Sequence, residues 1–132
     1  MTEEDFYNFF LLNLPHTSDV LNACNSHNNS MIHEAVTTKK CSPDRLKMLI
    51  DFGFVTNHCN SDGLRPIVIA FVENDIEKIK MMMECGVDLD KNDWEKLNGG
   101  LNNMLSSDVK SFLNQIFFKS VIYLNLLIIV YS

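Results

Sequence analysis

One internal repeat constrains this chain more than anything else. Asp51-Phe-Gly-Phe-Val-Thr-Asn57 aligns with Glu84-Cys-Gly-Val-Asp-Leu-Asp90, which sets Gly53 and Gly86 33 positions apart. The apolar runs before them, Leu46-Lys-Met-Leu-Ile50 and Ile79-Lys-Met-Met-Met83, superpose at the same 33-residue offset, Lys47 on Lys80. Further upstream, Ser30-Met-Ile-His-Glu-Ala35 matches Arg65-Pro-Ile-Val-Ile-Ala70 at an offset of 35, so the first unit carries two extra residues. They fall in the loop around Lys39 to Ser42, where an insertion costs least. A chain with this period is built from supersecondary units that cannot bury their own apolar faces. About three such units must stack for stability.

Within each unit the local signals are helical. Each glycine follows a helix end, where the chain turns through the left-handed region that glycine enters without penalty. Ser42-Pro43-Asp44 reads as a helix start with Ser42 as the cap, and Pro66 opens another. Asn74 with Glu77 suggests a looser capping pair. Leu46, Leu49 and Ile50 form one stripe at helical spacing; Ile76, Ile79, Met82 and Met83 form a second, and both are expected to be core.

Two units are too few, so the flanks must cover their open faces. Phe6, Phe9 and Phe10 lie at i, i+3 and i+4 within residues 3–13, which read as a helix with an acidic start. Residues 17–24 read as a second helix. After Asp90 a helical stretch from Trp94 to Leu105 is interrupted by Gly99 and Gly100. Residues 107–117 then form a further helix, with Ser107 as candidate cap. The organisation expected is a degenerate N-terminal repeat or cap over 1–28, repeats over 29–57 and 58–92, a degenerate C-terminal repeat over 93–118, and a hydrophobic tail over 119–132.

The period and the residues that carry it resemble the ankyrin-repeat family. Asp62-Gly-Leu-Arg-Pro-Ile-Val-Ile-Ala70 is similar to the ankyrin signature of Asp-Gly followed by Thr-Pro-Leu-His-x-Ala. Asn74 to Asp88 is similar to that family's second helix and exit loop. The resemblance implies an all-α solenoid of stacked helix–turn–helix units with short β-turn fingertips. It gives structural roles to Ser30, His33, Ala35, Gly53, Gly63, Pro66, Ala70 and Gly86. His33 matches the signature histidine and is expected to bridge neighbouring repeats. Arg65 and Val68 replace the signature Thr and His, so that hydrogen bonding is expected to be missing from the second unit.

Asn-rich texture, irregular repeat length and the phrase Tyr7-Asn-Phe-Phe-Leu-Leu-Asn-Leu-Pro15 further resemble the poxvirus ankyrin proteins. That resemblance implies a partner in the host and a place in the host cytoplasm. Many such proteins end in an F-box-like domain that recruits a ubiquitin ligase. No such domain is visible here, so the chain reads as a small or truncated member, and a non-functional remnant of a longer protein is an alternative.

Functionally, the expectation is a protein–protein interaction module with no catalysis and no cofactor. The net charge of −6 argues against a nucleic-acid footprint, which needs clustered Lys and Arg. Gly99-Gly100 lacks the flanking residues of a phosphate loop. Cys24-x-x-His27 and His58-Cys59 could be imagined as zinc ligands, but their spacing does not suit a structural site, and no metal is expected. Cys24, Cys41, Cys59 and Cys85 follow an acidic N-terminus without a secretory pattern and read as reduced thiols. Partner binding is expected at two fingertips, 56–65 and 88–94, through exposed His58, Asn60, Leu64, Arg65, Lys91 and Trp94. Residues 121–131 are almost wholly apolar. Eleven residues are short for a membrane span, so a terminal helix covering the last repeat is the expectation there, with a tail anchor as the alternative.

Overall fold

The computed structural model describes residues 3–132, with the side chains of Glu3, Glu4, Phe6 and Tyr7 left aside. Helix accounts for 63% of the chain, and among the described residues there is no strand. The fold is all-α.

The centre is two helical pairs. Met31–Thr37 (α3) and Pro43–Phe52 (α4) form the first; Pro66–Val72 (α5) and Ile76–Glu84 (α6) form the second. They pack side by side, α3 on α5 and α4 on α6. Ile32, Leu46, Ile67, Phe71, Ile79 and Met82 are fully buried between them. The two stripes read from periodicity therefore lie in the core, with Ile50, Ile76 and Met83 partly buried at its edge. Residues 38–42 join the first pair and residues 73–75 the second, so the first connection is the longer by two residues, as the offset of 35 requires.

Caps fix the helix ends. Ser42 accepts from the Arg45 amide, with Pro43 in the first turn of α4. Gly53 ends α4 at φ 117° and Gly86 follows α6 at φ 93°. Asn74 does not cap α6. It sits at φ 58°, and Asp75 caps instead, accepting from the Lys78 amide at 3.1 Å. Asn74 turns the other way: its Nδ2 donates to the Met104 carbonyl, and its Oδ1 accepts from the Ser106 amide. Asp is as good a cap as Asn, and the left-handed backbone at Asn74 releases its side chain for this second task.

The flanks close the two pairs only in part. On one side Glu3–Asn13 (α1) packs on α4 through Leu11, with Leu14 beside it. Phe9 is 60% exposed and Phe10 42%, so those two aromatics do not form the buried face; Phe6 lies outside the described side chains. The helix expected over 17–24 shortens to Ser18–Leu21 (α2). On the other side Lys91–Asn98 (α7) packs on α5 and is followed by a short 3₁₀ turn, Asn102–Met104. Trp94 to Leu105 is thus broken at the two glycines.

The last helix, Ser107–Tyr131 (α8), runs 25 residues without interruption across the boundary expected at 118/119. Its cap is Ser106, one residue before the candidate Ser107, accepting from the Val109 amide at 3.3 Å. Val109 and Leu113 are its buried residues. From Phe117 onward most of its large apolar side chains are exposed; Phe117 meets Trp94, and Val121 and Leu127 are half-buried. The helix is long and apolar enough to cross a membrane by length and composition.

Candidate functional site

The loops that enter α3 and α5 are two copies of one turn. In the first, Asn25 Oδ1 accepts from the amides of His27 and Asn29, both at 3.0 Å. In the second, Asn60 Oδ1 accepts from the amides of Asp62 and Leu64, again at 3.0 Å. The backbone closes each identically, Asn25 to Asn29 and Asn60 to Leu64, with Asn28 and Gly63 donating back to the turn's first carbonyl. Asn28 (φ 61°) and Gly63 (φ 74°) hold equivalent left-handed positions, which Asn and Gly tolerate best.

The copies are stitched together. Ser61 N donates to His27 O at 3.0 Å, Asn28 Nδ2 to Cys59 O at 3.3 Å, and Asn60 Nδ2 to Asn29 Oδ1 at 2.9 Å. His33 adds the deepest link. Its Nδ1 accepts from the Ser30 amide at 3.0 Å, which leaves Nε2–H to donate to Leu64 O at 2.8 Å. Ser30 in turn caps α3 through the His33 amide. Burial pushes the His33 imidazole below its ordinary pKa, and nearby His58 adds to that; the Leu64 carbonyl and Glu34 act the other way.

The second loop is then tied to the third. Arg65 makes an ion pair with Asp93, and its Nη1 also donates to Asp88 O at 3.0 Å. Asp93 is buried and shares a reciprocal capping box with Asp90 at the start of α7. Lys96 reaches the carbonyl of Gly63. The second unit lacks the Ser30–His33 arrangement: Arg65 stands at the α5 N-cap with no side-chain bond to it, and Val68 is fully buried. Arg65 instead links forward to the next loop.

This accounting corrects the expectation that the six fingertip candidates are exposed. Of these, Lys91 alone is exposed, with a weak pairing to Glu95 at 3.9 Å. His58 is half-buried, edge-on to the His33 ring with centroids 6.1 Å apart. Asn60, Leu64 and Arg65 are half-buried and spend their polar groups inside the turns. Trp94 sits apart from the other five, half-buried with its ring 6.1 Å from that of Phe117 at the base of α8. For Asn60 the physical reason is that a tight turn must satisfy its own backbone groups, and the nearest polar side chain does so. Apart from Lys91, what the edge offers outward is a different set. Asn57, Cys59, Asp62, Asp88 and Lys91 are exposed along it, with His27 on the neighbouring loop.

The remaining structural residues fall in the interior or at turns. Ala35 and Ala70 are buried at equivalent places in α3 and α5, and Pro66 is fully buried at the start of α5. Sequence reasoning missed Asn25, Asn29 and Asp93. The signal for the first pair was present: Asn25-Ser26 and Asn60-Ser61 repeat at the offset of 35 already found.

Chemistry has little to work with here. A cleft of about 370 Å³ opens on the opposite edge, lined by Val36, Lys39, Glu73, Asn74, Asp75 and Glu77 among others. Its buried cation, Lys78, is spent on carbonyl oxygens. All four cysteines are free thiols. Burial raises the Cys41 and Cys85 thiols above their ordinary values, the reverse of nucleophile activation. Among the described residues, no three His, Cys, Asp or Glu side chains gather where they could hold a metal.

Neither a protein-family model, nor a curated protein, nor a solved structure matches this chain.

Proposed function

We propose that this chain is an ankyrin-type repeat array that binds another protein and catalyses nothing. The observation that carries the reading is the duplicated turn. Two copies of the same asparagine-centred loop stand side by side, bonded to one another through Ser61, Asn28 and Asn60 and to the helices through His33. Loops held this firmly lose little conformational entropy on binding, which favours recognition by a preformed edge. The 33-residue period and the helix–turn–helix units support the ankyrin assignment, and the mutually bonded turn residues form the frame of the edge.

The binding surface in this reading is the outward set on that edge: His27, Asn57, Asp62, Asp88 and Lys91. The array is short, so the partner is gripped by one edge rather than wrapped. The resemblance to poxvirus ankyrin proteins makes a host cytoplasmic protein the natural partner.

Charge reversal along the edge tests the proposal. The triple variant Asp62→Lys, Asp88→Lys, Lys91→Glu should fold normally, because those side chains are solvated. Cross-linked capture from cells should recover a protein with the wild type that the triple variant loses. Glu77→Lys, an exposed change beside the opposite cleft, should retain it. Identical captured sets from the folded wild type and triple variant would overturn the proposal.

A further inference from the structure

We infer that the distal half of α8, from about Phe117 to Tyr131, inserts into the hydrocarbon of a lipid bilayer. Apolar side chains are distributed all round this part of the helix. Ile122, Tyr123, Leu124, Leu126, Ile128, Ile129, Val130 and Tyr131 are each more than half exposed. At 3.6 residues per turn these positions fall on every side of the helix. Beyond Lys119 the segment carries no charge, and Asn125 is its one amide side chain. A partner helix, or a second copy of this chain, covers one stripe and leaves the rest in water. A helix that is apolar all round is matched by a surrounding apolar medium. The core of this protein is not that medium, because the helix leaves the domain after Leu113 and Ile116.

The base of the helix is built differently from its end. Trp94 packs edge-on to Phe117, and Phe117 meets Phe118 at 6.0 Å. On the other side Lys80 Nζ lies 5.6 Å from the centre of the Phe112 ring, next to a groove also lined by Lys119. These rings and lysines lie within about two turns of α8, a zone of the width where aromatic and lysine side chains meet the headgroups, with the lysine stems lying along the apolar surface. Fifteen residues at 1.5 Å each span about 22 Å, which takes the far end past the middle of a hydrocarbon layer of about 30 Å. The domain then rests on the membrane with Trp94 at headgroup depth. This inference stands apart from the partner-binding edge, which involves none of these residues.

Cell-free synthesis of the full chain with phosphatidylcholine–phosphatidylserine vesicles, followed by flotation, tests it. The wild type should float and stay with the vesicles through alkaline carbonate. Trp94 is the sole tryptophan, so it reports depth directly. Lipids brominated near the headgroup should quench it more than lipids brominated near the chain ends. Leu126→Asp with Ile129→Asp should lower the floating fraction on the order of a hundredfold, because each carboxylate opposes insertion. The melting transition of the domain should not change, since neither side chain is buried. The inference is overturned if the wild type pellets or remains in the dense fraction, whether as monomer, oligomer or aggregate. It is equally overturned if the double variant floats like the wild type, or if deep bromines quench Trp94 best.

Discussion

Lys78 Nζ donates to the carbonyl oxygen of Val36 at 3.1 Å, across the seam between the two helical pairs. The same ammonium donates to the carbonyls of Ala35 and Thr38, at 3.2 and 3.1 Å. These oxygens belong to the last turn of α3 and its C-cap Thr38, where carbonyls lack intrahelical partners and the dipole favours a cation. Lys78 thus caps one unit from the next, with Asp75 3.8 Å away. Lys78→Met preserves the stem and removes the charge. It should cost about 2–4 kcal/mol, because two buried acceptors, the Ala35 and Val36 carbonyls, lose their donor at once. Urea unfolding followed by circular dichroism checks this. A loss below about 0.5 kcal/mol, the range of ordinary surface substitutions, would show that the contact contributes little.

The His33 link makes stability depend on pH in a known direction. Nδ1 accepts a hydrogen bond, so a proton there breaks the Ser30 contact and puts a charge in the interior. Burial holds the folded pKa below the ordinary value of 6.5. The unfolded chain therefore takes up the proton first as pH falls. The stabilisation is fully present above about 6.5, the unfolded pKa, and is lost as pH drops through the folded pKa. Stability measured from pH 7.5 down to 4.5 should decline below 6.5, and His33→Gln should flatten part of that slope. An unchanged slope in the variant would assign the pH dependence to other groups.

Much of this fold is legible in the sequence, and the limits are instructive. Periodicity and the position of glycines located α3 to α6, because those signals arise from local backbone and burial. The insertion between Lys39 and Ser42 appeared as two extra residues in the first connection. The partner surface was less legible. Arg65 reads as an interface anchor by residue type, yet it is committed to Asp93, a residue whose burial is set by tertiary packing. Nothing in the sequence marks Lys78 for the interior, because lysine is seldom buried, yet it is buried by the approach of a neighbouring helix that local sequence does not encode. The length of α8 was underestimated for a related reason. Lys119 and Asn125 interrupt the apolar run, but they do not interrupt helical hydrogen bonding.

Gly53 and Gly86 are equivalent in sequence and should differ in cost. Both have left-handed backbone, at φ 117° and φ 93°. A Cβ at Gly86 would meet nothing within 4 Å, so Gly86→Ala should cost about 1–2 kcal/mol from backbone strain alone. At Gly53 the added Cβ would lie 3.2 Å from His16 Nε2, which is bonded to Phe52 O at 2.7 Å. Gly53→Ala should lose about 1 kcal/mol more, as that hydrogen bond is displaced. The comparison is made by thermal unfolding of both variants, and equal losses would remove His16 as the cause.

Arg65 and Asp93 should behave as one unit that joins the second and third loops. Asp93 is buried, and its Oδ2 accepts from both Arg65 and the Asp90 amide. Arg65→Met strands the buried Asp93 carboxylate and should cost about 3–5 kcal/mol; Asp93→Ala leaves Arg65 the Asp90 carboxylate at 3.8 Å and should cost less. The double variant leaves no stranded charge and should cost less than the sum, with a coupling of about 1–3 kcal/mol. Asp93→Asn should fall between wild type and Asp93→Ala, since an amide oxygen can still accept from the Asp90 backbone. The link also bears on recognition, because Arg65 holds the Asp88 carbonyl on the edge proposed for the partner. Hydrogen exchange at Leu89 to Lys91, measured without denaturant, should therefore accelerate in Arg65→Met by local opening, beyond the uniform loss of protection that lower global stability gives amides in α3 and α4. Strict additivity of the two substitutions would show that the loops are held by packing, and the proposed edge would then not depend on this pair.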